Sequence, residues 1–342
     1  MAVDHPSKSR QPSRYCFLMV TVETAFRNAR RRAAQHMGRC ESASLRWGET
    51  SITEIVTSSA AAAVTVVPFT QRAEARSGAD WIWWWVDKAA AYGMLVQAKR
   101  LTIAADRWRF GFDYQSQGSA RLQREVLIDV ASSLDLLPVY ALYLGTGSYR
   151  GWEPCSDEHR KGDCAHCVRR TISLMPALLA SDVIVDDSVS TYEWSVALEE
   201  LWTPSRQNQL LIPSLTSQLA PELLAFLTTP QNGTLAVARS MIDRVLQARA
   251  GMFSATYLGT NVPLGQHDHL GPIFNRVPGD TIHGGVPYFE RVLSPLRYAP
   301  PAYVLDILSG EAKTEELQSQ LPQSVAGVVV VHTPPSRRSA RS

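Results

Sequence analysis

The chain has no apolar run near the length that a membrane-spanning helix needs. Such a helix takes roughly 18 or more consecutive apolar residues. The apolar run at residues 15–20 is far shorter and is soon followed by Glu23. It is also too short for the core of a secretory signal. The sequence therefore predicts no membrane partner, and a cytoplasmic location follows by default.

The chain also lacks an excess of charge of one sign and an even number of cysteines. The 34 Lys and Arg residues nearly balance the 32 Asp and Glu residues, for a net charge of +2. Any attraction to nucleic acid therefore has to be local. The five cysteines are odd in number, which argues against a secreted disulfide framework. The chain also has no Ser-His-Asp arrangement, no P-loop and no internal repeat.

The 342 residues, 45% of them hydrophobic, can form one large domain or two medium ones. Residues 1–20 are predicted to form a disordered tail, and residues 333–342 a basic tail. Between the tails we expect a first domain at 21–180. Short helical patterns and loops rich in Gly and Pro fill 181–332, a region of unknown role.

Hydrophobic periodicity predicts an α/β fold. In the first half, helices are expected at 21–37, 48–63 and 121–133, and strands at 63–70, 80–86, 94–101 and 136–144. Later helices are expected around 170–180, 193–202, 221–228 and 235–250, with a last strand at 325–332. From residue 48 to 144 the order is helix, three strands, helix, strand.

The polar face of the first predicted helix is basic and carries Arg27, Arg30, Arg31 and Arg32. Such a face is typical of a solvated surface helix, and contact with a phosphate backbone is the alternative.

One region combines an acid, an amide and a lysine. Asp80 begins the strand predicted at 80–86, and Gln97 and Lys99 lie two residues apart in the next strand. Because side chains alternate along a strand, Gln97 and Lys99 project from one face of the sheet. Lysine is rarely buried without a partner, so the pattern indicates a site that handles negative charge.

The helix before these strands supplies a second acid. At 100° per residue, Glu49 lies about 60° from Ile52 and about 20° from Val56, on their inward stripe. Glu54 lies roughly 140° from Glu49 and is predicted to be solvated. Glu49 is therefore the better candidate for a carboxylate that points into a site.

Together these residues can build a divalent-metal site for phosphodiester hydrolysis. Glu49, Asp80 and Gln97 offer the carboxylate and amide oxygens that Mg²⁺ prefers. Lys99 would orient the attacking water or stabilise developing negative charge.

The succession of Asp80 and Gln97-x-Lys99 resembles the PD-(D/E)xK nuclease superfamily. It is most similar to the Mrr-type branch, in which Gln-x-Lys replaces acid-x-Lys. Segments 48–54, 78–81 and 96–100 also resemble an uncharacterised bacterial family of unknown function. The resemblance covers roughly residues 20–180. It implies a restriction-endonuclease-like αβββαβ core, a mixed central sheet flanked by helices, with a mostly helical and loop-rich C-terminal part.

The resemblance implies a Mg²⁺-dependent endonuclease that acts on DNA rather than RNA, with Glu49, Asp80, Gln97 and Lys99 as catalytic residues. By analogy it also implies a role in defence against foreign DNA. A non-catalytic nucleic-acid-binding or protein-interaction module on the same scaffold is the alternative. Gly78 and Ala79 stand where the superfamily often has a proline, and the turn between the two strands is longer than in compact Mrr-type sites.

The tryptophans at 81, 83, 84 and 85 are unusual for such a site. On an alternating strand, Trp81, Trp83 and Trp85 face one side and Trp84 the other. Packing in the core is the first interpretation, because each ring buries a large apolar area. Stacking on unpaired bases is the alternative.

A cysteine cluster follows the predicted core. Cys164 and Cys167 have zinc-knuckle spacing, and Cys155 together with His159 or His166 could complete four ligands. This is half of a double CxxC pattern, so reduced thiols and a redox pair stay open as alternatives to structural Zn²⁺.

Overall fold

The computed structural model describes residues 21–69, 80–105, 107–115, 121–151, 164–181, 188–202, 219–249, 258–263, 271–274, 276–280 and 288–332. The predicted tails at 1–20 and 333–342 lie outside this part of the chain. None of the described helices is long and apolar enough to cross a membrane.

The helices are α1 Val22–Ser42, α2 Glu49–Ala60, α3 Gln123–Ser133, α4 Gly147–Arg150, α5 Ala165–Arg169, α6 Ser188–Trp194, α7 Pro221–Thr228, α8 Gly233–Arg249, α9 Tyr288–Leu293, α10 Ala302–Ser309 and α11 Thr314–Gln320. The strands are β1 Thr65–Pro68, β2 Asp80–Val86, β3 Ala91–Arg100, β4 Thr102–Ala104, β5 Arg107–Arg109, β6 Leu137–Tyr143, β7 Ile172–Pro176, β8 Val196–Ala197, β9 Leu258–Pro263, β10 Arg276–Asp280, β11 Leu296–Arg297 and β12 Val325–His332. Short 3₁₀ helices cover Ala177–Ser181 and Leu198–Glu200.

A mixed sheet organises these elements in the order β1-β12-β2-β3-β6-β7-β8, with β11 pairing against the start of β3. The pairs β12/β2 and β3/β6 are parallel, and the other pairs are antiparallel. Helices pack on both faces. The predicted α/β class, with a mixed central sheet flanked by helices, is therefore confirmed.

The last described strand, β12, lies between β1 and β2. Its run of valines is buried on both faces, as expected of a strand inside a sheet covered by helices. Gly327 allows close approach at this point, because an added Cβ would lie 2.6 Å from the Trp81 ring and 2.7 Å from the Val67 carbonyl oxygen. The sheet thus takes strands from both sides of residue 180, the boundary expected from the sequence.

The tryptophans of β2 belong to two cores, one on each face of the sheet. Trp83 and Trp85 are buried beside Phe26 of α1, with ring centroids 5.9 and 5.8 Å away. Trp84 is buried on the opposite face and donates from Nε1 to the Tyr303 hydroxyl at 2.7 Å. Core packing is therefore confirmed for these three rings, and they have no free face for a base.

The basic face of α1 is only partly solvated. Arg31 and Arg32 are exposed. Arg30 is buried, and its Nε donates to Glu199 Oε2 at 3.0 Å. The prediction that Arg30 lies on a solvated face is wrong, because the 3₁₀ helix Leu198–Glu200 packs over this part of α1 and brings a carboxylate to it.

The order of elements predicted for residues 48–144 is confirmed, with the small β4–β5 hairpin as an addition. The helix predicted at 170–180 is wrong, since this range holds β7 and a 3₁₀ helix. All five residues of β7 are buried, and an apolar strand without alternation imitates helical spacing. The helix predicted at 193–202 is also wrong, since α6 ends at Trp194 and β8 and a 3₁₀ helix follow.

A buried acid in α8 makes stability depend on pH. Asp243 Oδ2 lies 3.4 Å from Arg239 Nε, and both side chains are almost fully buried. Burial raises the pKa of Asp243 from 3.8 to about 6, and the charges of Arg239 and Arg244 oppose this rise. The folded state therefore holds this proton more tightly than the unfolded chain does.

The contribution of Asp243 to the free energy of unfolding is expected to fall as pH rises from 3.8 to about 6. The full penalty for the ionised carboxylate is about 3 kcal/mol, because one pKa unit corresponds to about 1.4 kcal/mol. Urea unfolding of the wild type and of Asp243→Asn at pH 4 and pH 7 tests this. The free energy of unfolding of the variant should rise relative to that of the wild type from pH 4 to pH 7. The same difference in free energy of unfolding at both pH values would contradict the assignment.

Candidate active site

One cleft of about 350 Å³ lies at the end of β3 and brings together residues that are distant in sequence. Glu49 of α2, Gln97 and Lys99 of β3 and Gln123 of α3 all line it. Arg100, Thr102 and Phe110 lie along the same walls. Three of the four predicted site residues therefore surround a single cleft.

Glu49 is the first residue of α2, where a carboxylate is favoured by the helix dipole. Its Oε1 accepts a hydrogen bond from the Arg100 amide at 2.7 Å, which fixes the carboxylate against the end of β3. Glu49 is half-buried in the cleft, whereas Glu54 is exposed. This is the placement that the helical angles predict.

A pair of hydroxyls attaches the start of α2 to the sheet. Thr53 Oγ1 donates to the Glu49 carbonyl oxygen at 3.0 Å and lies 2.7 Å from the Tyr143 hydroxyl of β6. Burial raises the pKa of Tyr143, the hydrogen bond with Thr53 opposes this rise, and the negative charge of Glu49 adds to it. The hydroxyl thus stays protonated, and it donates to Thr53 while Thr53 donates to the backbone of Glu49.

Gln97 and Lys99 are buried although they are polar, with exposures of 3% and 6%. They alternate with Val96 and Ala98, which pack into the opposite core. Lys99 Nζ donates to Gln123 Oε1 at 3.0 Å and lies 3.4 Å from the Gly111 carbonyl oxygen. The ammonium group also lies 5.9 Å from the centre of the Tyr140 ring. These contacts keep a cation at the wall of the cleft.

Asp80, the fourth predicted residue, is described through its backbone alone. It begins β2 beside Val325 of β12. Its neighbour Trp81 lies opposite Val96, so the antiparallel register brings the backbone of Asp80 level with Gln97. Among the side chains that the structure describes, no three His, Cys, Asp or Glu residues form a metal-binding group. Of the four predicted site residues, Glu49 and Gln97 bring described side-chain oxygens to the lining of the cleft.

Gln123 was not among the residues predicted for the site. It begins α3, which the sequence predicts as an ordinary amphipathic helix, and 24 residues separate it from Lys99. Nothing in its local pattern distinguishes it from a surface glutamine. Only the packing of α3 against β3 and β6 brings its amide to the lysine.

The predicted zinc ligands Cys155 and His159 lie outside the described residues. Cys164 and Cys167 flank the start of α5, where Cys164 Sγ accepts from the Cys167 amide at 3.3 Å. Cys167 is buried, with its sulfur 3.1 Å from the Tyr192 hydroxyl. His166 is exposed. The zinc site stays a prediction.

The fold and the cleft define an α/β protein in which the carboxylate of Glu49 on α2 and the amide and buried lysine of β3, Gln97 and Lys99, line one cleft. The chain belongs to a family of unknown function, DUF6615, whose model matches residues 22–335. No curated protein and no solved structure matches it.

Proposed function

We propose that this chain is a metal-dependent endonuclease that hydrolyses DNA phosphodiester bonds. The observation that carries the proposal is the convergence of Glu49, Gln97 and Lys99 on one cleft. The three side chains come from a helix and a strand that are separated in the chain by β1 and β2. The resemblance of Asp80 and Gln97-x-Lys99 to PD-(D/E)xK nucleases supports the same reaction.

The donor set at the cleft fits a hard divalent cation. Glu49, Asp80 and Gln97 would hold Mg²⁺ through carboxylate and amide oxygens. One oxygen of Glu49 accepts from the Arg100 amide, which leaves Oε2 without a hydrogen bond to any described residue. When bound, Mg²⁺ would polarise the phosphate and lower the pKa of a coordinated water.

Lys99 would act on the charge that develops during hydrolysis. Its ammonium group is fixed by the Gln123 amide oxygen and the Gly111 carbonyl oxygen. A cation that is already oriented in a partly dehydrated cleft stabilises a developing negative charge without rearranging. Lys99 would therefore orient the attacking water or stabilise the phosphate oxygens. Defence against foreign DNA is the biological role that the resemblance suggests.

Plasmid cleavage by the wild type with Mg²⁺, and with EDTA in its place, tests the proposal. Cleavage is expected in the presence of Mg²⁺ and not in the presence of EDTA. Asp80→Asn should reduce the rate by about 100-fold or more, because it removes the negative charge of a metal ligand and nearly keeps the shape of the side chain. Equal rates for the variant and the wild type would contradict the site.

A non-catalytic nucleic-acid-binding module on the same scaffold is the competing outcome of this experiment. Binding to DNA that weakens with salt, without cleavage under any divalent ion, would favour it. Binding to RNA alone would also overturn the choice of substrate.

A further inference from the structure

The β4–β5 hairpin, in which residues 102–104 pair with residues 107–109, begins at the wall of the cleft. The chain leaves the cleft at Thr102, immediately after Lys99 and Arg100, and returns to it at Phe110. Both ends of the hairpin therefore belong to the wall of the candidate active site. The side chains of the hairpin therefore lie next to the cleft.

One face of the hairpin carries two arginines. Thr102 lies opposite Arg109, and Ala104 lies opposite Arg107. Directly opposite residues in an antiparallel pair share a face. Arg107 and Arg109 are thus on the same face as Thr102, which lines the cleft. They lie about 7 Å apart along the strand, and both are exposed.

The other face of the hairpin attaches it to the body of the protein. Trp108 is buried, and its ring meets that of Tyr192 edge-on at 6.4 Å. Its Nε1 donates to the Arg150 carbonyl oxygen at 3.3 Å. Since Trp108 stands between Arg107 and Arg109, its burial orients both neighbours away from the core.

The charge of this face fits an anionic polymer. Arg107 forms no ion pair with any residue in the described part of the chain. Asp106 lies outside the described residues. The planar guanidinium group binds phosphate through paired hydrogen bonds.

We infer that the β4–β5 hairpin is a phosphate-binding arm, in which Arg107 and Arg109 hold the nucleic-acid backbone next to the cleft. The inference rests on the proposed function for its choice of ligand. It adds a second contact region, which positions the polymer while Glu49, Asp80, Gln97 and Lys99 act on one phosphodiester.

The test is binding of fluorescein-labelled DNA, as a single strand and as a duplex, in EDTA, so that no cleavage is involved. The Arg107→Gln/Arg109→Gln variant should raise Kd about tenfold at moderate salt. Loss of two phosphate contacts should also reduce the slope of log K against log salt by about 1.4 to 1.8. Arg107→Lys/Arg109→Lys keeps the charge and should recover most of the slope.

The matched control is Arg39→Gln/Arg276→Gln, which removes two exposed arginines from α1 and β10 and changes the net charge equally. It should bind as the wild type does. Equal losses in the two glutamine variants, no loss in the hairpin variant, or no binding by the wild type would each overturn the inference. If the wild type cleaves DNA and the hairpin variant binds DNA normally, only the inference about the phosphate-binding arm is refuted. If the hairpin variant loses binding selectively and the wild type cleaves no DNA, only the nuclease proposal is refuted. Thermal melting checks that each variant is folded.

Discussion

Replacing Lys99 with methionine is expected to reduce Mg²⁺-dependent DNA cleavage by about 10²- to 10³-fold, the effect of removing one oriented group that stabilises developing charge. Methionine retains much of the length of the buried stem and removes the ammonium group that contacts Gln123 and Gly111. The loss should fall on kcat, because the cation acts on charge that develops during the reaction. Single-turnover cleavage of labelled DNA measures it.

Lys88→Met is the matched control. Lys88 is exposed in the turn between β2 and β3, so its replacement should leave the rate within a factor of about two, as for other surface changes. Thermal melting separates a catalytic loss from unfolding of the Lys99 variant. A folded Lys99→Met protein that cleaves as fast as Lys88→Met would remove Lys99 from the site.

Replacing Arg30 with methionine is expected to lower the free energy of unfolding by about 3 kcal/mol, because it leaves a buried carboxylate without its main partner. Glu199 is 6% exposed in its side chain, and its other neighbouring cation, Arg169, lies at 3.9 Å. Urea unfolding should show a lower midpoint with an unchanged slope.

The exposed pair of Arg27 and Glu23 on the same helix is the control for this stability effect. Arg27→Met should cost less than about 1 kcal/mol, since exposed ion pairs contribute little. The double variant Arg30→Met/Glu199→Leu should recover most of the loss, because it removes both buried charges. If Arg30→Met lowers the free energy of unfolding no more than Arg27→Met does, burial of the ion pair does not determine the destabilisation.

Strong local signals in the sequence were sufficient to predict several elements. The aromatic run of β2 and the valine run of β12 are found at the predicted bounds, 80–86 and 325–332. The helix predicted at 221–228 is α7. In each case the alternation, the β-branched composition or the helical spacing has one dominant interpretation.

Long-range packing was not predictable in the same way. No local pattern indicates that β12 inserts between β1 and β2, because a buried valine strand is equally compatible with any interior position of the sheet. The helical pattern predicts a solvated Arg30, because nothing local indicates its partner Glu199, which is 169 residues away. The apolar run of β7 predicts a helix, because its residues are buried on both faces and do not alternate.

Some residues of the candidate site are predictable from local patterns, and others are not. Helical angles select Glu49 over Glu54, and strand alternation places Gln97 and Lys99 together, because each rule needs only local geometry. Gln123 reaches the cleft through tertiary packing, and the β4–β5 hairpin follows β3 directly at the cleft wall. The cleft therefore contains the predicted group together with neighbours that the sequence pattern does not indicate.

The most direct test of the account is the rate of Mg²⁺-dependent DNA cleavage by Glu49→Gln measured beside that by Glu54→Gln. Both changes remove one negative charge from α2, and glutamine keeps an oxygen that can accept from the Arg100 amide. We predict a loss of about 100-fold or more for Glu49→Gln, as for a metal ligand, and an unchanged rate for the exposed Glu54→Gln. Equal rates for the two variants, or a wild type that cleaves no DNA with any divalent ion, would contradict the account.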